Sequence, residues 1–215
     1  MKCVMLAIRP KYCEKICHEI GTDKNGKPVY EKTIEVRKTK PSIPAPFKVY
    51  IYCTKDKPYL YRVDDDNNFE LTNTLRQKAD GYVKDYNEQN GKVIGEFICD
   101  KIEKFSVGSL RSDDIINLAC LSYCEMIDYF YKPEELDGKT AKYGYAWHIT
   151  DLKIYDTPKE LNEFFDVKYD TVDYCVGCPH HETPVTEYPC CDCVCEAGNR
   201  KYLTRPPQSW CYVQE

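Results

Sequence analysis

The 215-residue chain is expected to fold as an α+β domain, mainly β, a small closed or half-closed barrel with flanking helices. Three observations lead there. At least five segments carry strand patterning between turn residues, one early segment has helical spacing, and long connections separate the later strands. Tyrosine supplies 19 of the aromatic residues, and its apolar ring with a wet hydroxyl suits half-buried strands.

In chain order, Lys2–Ile8 is apolar enough for a buried first strand and closes at Arg9-Pro10. Tyr12–Ile20 places Cys13, Ile16, Cys17 and Ile20 at helical spacing, with Gly21 where a C-terminal cap would stand. Asn25-Gly26 marks a turn. Thr33–Arg37 alternates cleanly, so a half-buried strand is expected with Ile34 and Val36 on one face and Thr33, Glu35 and Arg37 on the other. Prolines 41, 44 and 46 break the chain before a strand at Phe47–Cys53.

Lys55–Asn90 reads as a polar elaboration, a hairpin with a short helix or a loop. Asn90-Gly91 turns into a strand at Lys92–Asp100. Ser122 and Glu125 have capping-box spacing ahead of Met126, Ile127 and Phe130, so a helix is expected from Ser122 to Phe130. Tyr143–Tyr155 reads as one strand, Pro158–Phe165 as a turn or short helix, and Gln208–Val213 as a closing strand.

No stretch approaches the roughly 20 apolar residues that span a bilayer, and the first ten residues lack the features of an export signal. The expected location is therefore cytoplasmic, with no membrane contact, and the 14 cysteines are read in a reducing compartment, as free thiols or metal ligands. Net charge is −5, which disfavours indiscriminate polyanion binding. Locally, seven Lys or Arg between Lys32 and Lys57 face only Glu35 and Asp56.

Seven cysteines fall in the last 41 residues. Cys175 and Cys178 form a C-x2-C turn followed by Pro179, His180 and His181. With eleven residues in all between Cys178 and the next thiol, there follow Cys190, Cys191, Cys193 and Cys195. Two short thiol turns across such a loop converge on one tetrahedral zinc, so Cys175, Cys178, Cys190 and Cys193 are expected to hold one structural zinc per chain. Cys195, His180 and His181 are substitutes, and an iron–sulfur cluster is the alternative metal. Cys3, Cys13, Cys17, Cys53, Cys99, Cys120 and Cys124 sit among apolar residues and read as small core residues.

The strand ending in Arg9-Pro10, the helix, the Lys32-Thr33-Ile34-Glu35-Val36-Arg37-Lys38 strand, Val49–Thr54, Gly91–Phe97, Trp147–Tyr155 and Arg205–Trp210 together resemble the ASCH domain of the PUA-like superfamily, in its bacterial or phage form. The resemblance covers most of 1–165 and 205–215. It implies a PUA-like barrel over 1–169, a cysteine-rich zinc-binding insertion at 170–200, and a closing barrel strand at 201–215. It also implies recognition of RNA, a single strand or a modified nucleotide in a groove lined by the Lys32–Arg37 strand. Some relatives are N4-acetylcytidine amidohydrolases that use a lysine, a threonine and a glutamate. Lys32 matches the lysine, whereas Glu35 stands in the threonine's place.

The residues fit a ligand groove independently. Glu35 offers a carboxylate to an exocyclic amine, and Arg37 offers a fork to a phosphate or base edge. Lys32, Thr33 and Lys38 share the strand, and Tyr52, Trp147 and Trp210 are candidates for stacking. His148 is a further ligand candidate. A structural Glu35–Arg37 ion pair with both tryptophans in the core is the alternative. The function expected is therefore nucleic-acid or nucleotide binding. The alternatives are a hydrolase acting on a modified cytidine or RNA through Lys32 and Glu35, and a protein-interaction module using the zinc knuckle. The groove reading also expects Glu35 and Arg37 variants to keep wild-type melting behaviour.

Overall fold

The structure is a computed structural model that describes residues 3–55, 60–63, 69–72, 90–132, 141–166 and 201–214. It is α+β and mainly β, with a barrel-like wrap of two principal sheets. Strand β1 (Cys3–Ile8) runs straight into helix α1 (Pro10–Cys17), because Pro10 at the first helical position has its φ already set for a helix. A hairpin, β2 (Glu19–Thr22) and β3 (Pro28–Tyr30), precedes β4 (Ile34–Arg37) and β5 (Phe47–Cys53). The elaboration contributes a second hairpin, β6 (Leu60–Val63) with β7 (Phe69–Thr72). Then follow β8 (Val93–Cys99), β9 (Ile102–Ser106), α2 (Leu110–Leu118), α3 (Tyr123–Phe130), β10 (Tyr143–His148) and β11 (Thr150–Lys159). A single 3-10 turn at Leu161–Glu163 leads to β12 (Phe165–Asp166), and β13 (Lys201–Tyr202) and β14 (Trp210–Gln214) complete the elements.

The larger sheet has the order β11-β8-β5-β1-β14-β12-β13, with β1 and β5 parallel and β14 antiparallel to β1. The smaller sheet is β4-β10-β9, all antiparallel. Alternation along β1 and β5 assigns their side chains to two cores. Val4, Leu6, Ile8, Val49, Ile51 and Phe97 face inward with Trp147 of the smaller sheet. Met5, Tyr50, Tyr52 and Val213 face the other way, toward Phe164 and Leu203. A third core lies on the far face of the smaller sheet, where Ile34, Val36, Phe105 and Ala146 meet α2 and α3. At Gly144 an added Cβ would come within 2.6 Å of the Phe105 and Phe130 rings, so only glycine lets them close over β10.

Several expectations hold and several are corrected. The capping box at Ser122 and Glu125 is formed, with Ser122 Oγ accepting from the Glu125 amide and the Glu125 carboxylate accepting from the Ser122 amide. The early helix spans Pro10–Cys17 rather than Tyr12–Ile20, and Gly21 is not its cap. The chain turns extended at His18, and Gly21 occupies an irregular position of the β2–β3 hairpin at φ +152°. Strand β4 is buried on both faces rather than half-buried, since α2 and α3 cover one face and the larger sheet with α1 the other. Tyr143–Tyr155 divides at Ile149 into β10 and β11, which pair in different sheets, so the chain crosses between layers there. Strand β9 and helix α2 were not foreseen. Helix α2 buries only Ser112, Ile115 and Ile116, too few apolar positions for a periodic signal. Cys3, Cys13, Cys53 and Cys99 are buried as expected, whereas Cys124 is exposed. Burial pushes the Cys99 thiol up to about 12, which makes it inert at neutral pH. No described helix is long and apolar enough to cross a membrane.

Candidate functional site

A cavity of about 600 Å³ opens where the edge of β4 meets the end of β1, helices α1 and α3, and the segment before β14. Its floor comes from β4. Glu35 and Arg37 project from one face of that strand, opposite Trp147 and Tyr145 of β10. Lys32, just before the strand, turns its ammonium onto the same carboxylate. Lys32 Nζ lies 3.1 Å from Glu35 Oε2, and Arg37 Nη2 lies 3.0 Å from Glu35 Oε1. Each cation is also anchored to backbone. Lys32 Nζ donates to Ala119 O at 2.7 Å, and Arg37 Nη2 donates to Ala7 O at 2.8 Å.

Lys32, Glu35 and Arg37 keep only 2%, 6% and 8% of their surface exposed. Three buried charges are tolerable because each carboxylate oxygen has a cation and each cation a carbonyl. Arg37 Nε, by contrast, is buried without a hydrogen-bond partner among the described residues. The cavity therefore has a charged floor whose ions are paired with one another.

The walls are supplied by the helices. Arg9 caps α1, and Lys11 and Tyr12 follow in its first turn. The Lys32 ammonium lies 5.5 Å from the centre of the Tyr12 ring. From α3 come Glu125, Asp128 and Tyr129. Lys11 Nζ donates to Glu125 Oε1 at 2.6 Å and Tyr12 Oη donates to the same oxygen at 3.2 Å, so the two helices are tied across the cavity. Burial by itself would raise the Glu125 carboxyl, but the bonds from Lys11 and the Ser122 amide outweigh it and hold the pKa down to about 2. Burial raises the Tyr129 phenol above its ordinary value, and the neighbouring Arg37 guanidinium works against that rise.

Not every residue singled out in the sequence reaches this cavity. Lys32, Glu35 and Arg37 line it. Lys38 does not line it, although its ammonium lies 5.0 Å from the centre of the ring of Tyr129, which does. Thr33 instead serves as a backbone anchor, donating to Leu118 O and accepting from the Ile149 amide. The stacking expectation is corrected for Tyr52 and Trp147. Both rings are buried in cores, Trp147 with 0% exposure, so neither has a face to offer a base. Trp210 is half-buried, 6.2 Å from Trp147 between ring centres, and donates from Nε1 to Thr39 Oγ1. His148 lies at the far end of β10 with Nε2 3.9 Å from Glu103 Oε2. Cys175, Cys178, Cys190, Cys193, Cys195, His180 and His181 lie outside the described residues.

Sequence reasoning missed Arg9, Lys11, Tyr12, Glu125, Asp128 and Tyr129 as cavity residues. The capping box made Glu125 visible as a helix signal, but nothing in its local pattern pointed across to Lys11, 114 positions away.

No family model matches the chain, and no curated protein matches it. Among solved structures, it is similar to an ASCH protein from Zymomonas mobilis at 17% identity, covering 74% of each chain with a TM-score of 0.42. Two variants of that protein align at 17% and 18% identity, each over 74% of this chain and 76% and 75% of theirs, with TM-scores of 0.40 and 0.41.

Proposed function

We propose that the protein binds a nucleotide, free or within single-stranded RNA or DNA, in the cavity between β1, α1, β4 and α3. The observation that carries this is the Glu35 carboxylate clamped between Lys32 and Arg37 on the floor of a concave site. The volume lies within the roughly 300–1,000 Å³ range of small-ligand sites. Its lining holds both donors and acceptors. Arg9, Lys11, Lys32 and Arg37 are set against Glu35, Glu125 and Asp128. A base edge with both an amine and a carbonyl suits such a lining better than a bare polyanion does. Tyr12 and Tyr129 supply ring faces where Trp147 does not.

The test is calorimetric titration with the four ribonucleoside monophosphates. Binding of at least one, weakened in Arg9→Ala, supports the reading. No binding of any of them by the wild type refutes it.

One observation favours a second reading, hydrolysis of an N4-acylated cytidine. Lys32 Nζ and Glu35 Oε2 lie 3.1 Å apart within the cavity, a distance at which a proton can be relayed to a substrate. Turnover of N4-acetylcytidine that disappears in Lys32→Ala would establish it.

The cysteine-rich segment at 170–200 completes the proposal as an insertion into the barrel that binds one structural zinc. Its support is the spacing of Cys175, Cys178, Cys190 and Cys193. Such a zinc knuckle also offers a surface for a protein partner.

A further inference from the structure

A second cavity, of about 470 Å³, lies on the larger sheet and shares no residue with the first. It sits over β5, β8 and β11, on the face where Lys48 and Tyr50 emerge from β5. Two backbone features make it concave. At Gly95 an added Cβ would come within 2.5 Å of the Lys153 carbonyl oxygen, so glycine lets β11 approach β8 closely. Beyond that point the register slips. Ile154 pairs with Gly95 and Lys159 with Val93, so the four residues 155–158 stand against Ile94 alone. This bulge gives the cavity Asp156 and Thr157 as a wall and brings Lys159 back to its edge.

The charges that line it are unevenly matched. Lys48 Nζ donates to Glu96 Oε1 at 3.1 Å and Tyr155 Oη donates to Glu96 Oε2 at 2.6 Å, so each oxygen of that carboxylate already has a donor. Burial opposes ionisation of Glu96, but the bonds from Tyr155 and Lys48 hold its carboxyl below the ordinary value. Lys153 is the cross-strand partner of Glu96, yet its ammonium forms no ion pair among the described residues. The Lys159 ammonium lies 5.3 Å from the centre of the Tyr155 ring and 5.8 Å from that of Phe164. A ring face attracts an ammonium without neutralising it. Lys48, Lys153 and Lys159 thus stand against Glu96 and Asp156, a local excess of positive charge in a chain of net charge −5.

The lining also says which anion fits. It holds lysines and no arginine. A compact, rotatable ammonium suits a tetrahedral oxyanion, whereas the planar arginine fork is the better match for a carboxylate. The Tyr155 ring already has an ammonium beside it and Phe164 is fully buried, so neither offers a surface on which a base could stack. We infer that this second cavity binds a small, multiply charged phosphate anion, contacted by Lys48, Lys153 and Lys159. The inference goes beyond the nucleotide reading of the first cavity and does not depend on it.

Inorganic pyrophosphate is the probe, titrated into the full chain by calorimetry. The wild type binds one pyrophosphate per chain, more weakly as salt rises. Lys153→Ala lowers the affinity about tenfold, the loss of one charge-assisted hydrogen bond. The Lys153 side chain is exposed, so this variant keeps the fold. Glu96→Gln raises the affinity, because it keeps an acceptor for Tyr155 while removing the opposing charge and releasing Lys48. Lys104→Ala, outside the cavity, and Arg9→Ala, in the first one, leave pyrophosphate binding unchanged. The inference is overturned if no saturable binding is seen, or if Lys104→Ala weakens binding as much as Lys153→Ala does. Citrate binding more tightly than pyrophosphate would overturn the assignment to phosphate.

Discussion

Lys11 of α1 and Glu125 of α3 meet at 2.6 Å across the cavity, and the same carboxylate closes the N-terminal capping box of α3. One side chain thus starts a helix and fixes its distance from another. The cavity width is set by an ion pair between segments that are remote in sequence.

That pair has a pH signature. The Glu125 carboxyl is held down to about 2, below its ordinary value of 4.5. A depressed folded-state pKa contributes stability that is present above the ordinary value and is lost as pH falls through the folded one. Glu125→Gln keeps the capping geometry but removes the charge. Chemical denaturation should therefore show the wild type more stable than the variant at pH 7, by about 1 kcal/mol or less because the pair is partly exposed. The gap should close between about pH 4.5 and 2. A gap independent of pH would mean that the ion pair contributes nothing.

Glu35 and Arg37 should behave as members of a buried network. Removing one partner leaves the others charged and unpaired, so Glu35→Ala should cost on the order of 3–5 kcal/mol in denaturant unfolding. This replaces the expectation, drawn from an exposed groove, that such variants would melt like the wild type. A loss below about 1 kcal/mol would show that the triad is not buried in solution.

Gly144→Ala should destabilise the smaller sheet by about 1–3 kcal/mol, because the added methyl group enters space held by Phe105 and Phe130. Combining it with Phe105→Leu should recover part of the loss. Equal melting temperatures for Gly144→Ala and the wild type would contradict the packing.

For the cysteine-rich segment, protein prepared without chelator should contain about one zinc per chain. Cys178→Ser should lose that metal while retaining most of the barrel's unfolding transition, since the three cores are built from other residues. Metal analysis finding neither zinc nor iron would end the proposal.

How much was legible beforehand depended on the range of each signal. Strands β1, β5 and β8 and helix α3 could be read from local periodicity, turn residues and a capping box, all of which act within a few positions. The alternation of β4 likewise determined that Glu35 and Arg37 would emerge from one face, whereas Lys32 precedes the strand and joins them only through the fold. Their burial was not legible, because it comes from α1, α2 and α3 folding over an edge strand whose own pattern looks half-exposed. Nor was the break at Ile149. Tyr143–Tyr155 is continuous in strand propensity, and only the presence of two sheets divides it. Trp147 shows the same limit. The sequence determined that a large aromatic ring would sit on β10, and the tertiary structure decided that it would fill the core, because its face of the sheet packs against β1 and β5. The Lys11–Glu125 contact was beyond any local reading. Two helices separated by about half of the chain become neighbours only once the sheets that carry them have closed.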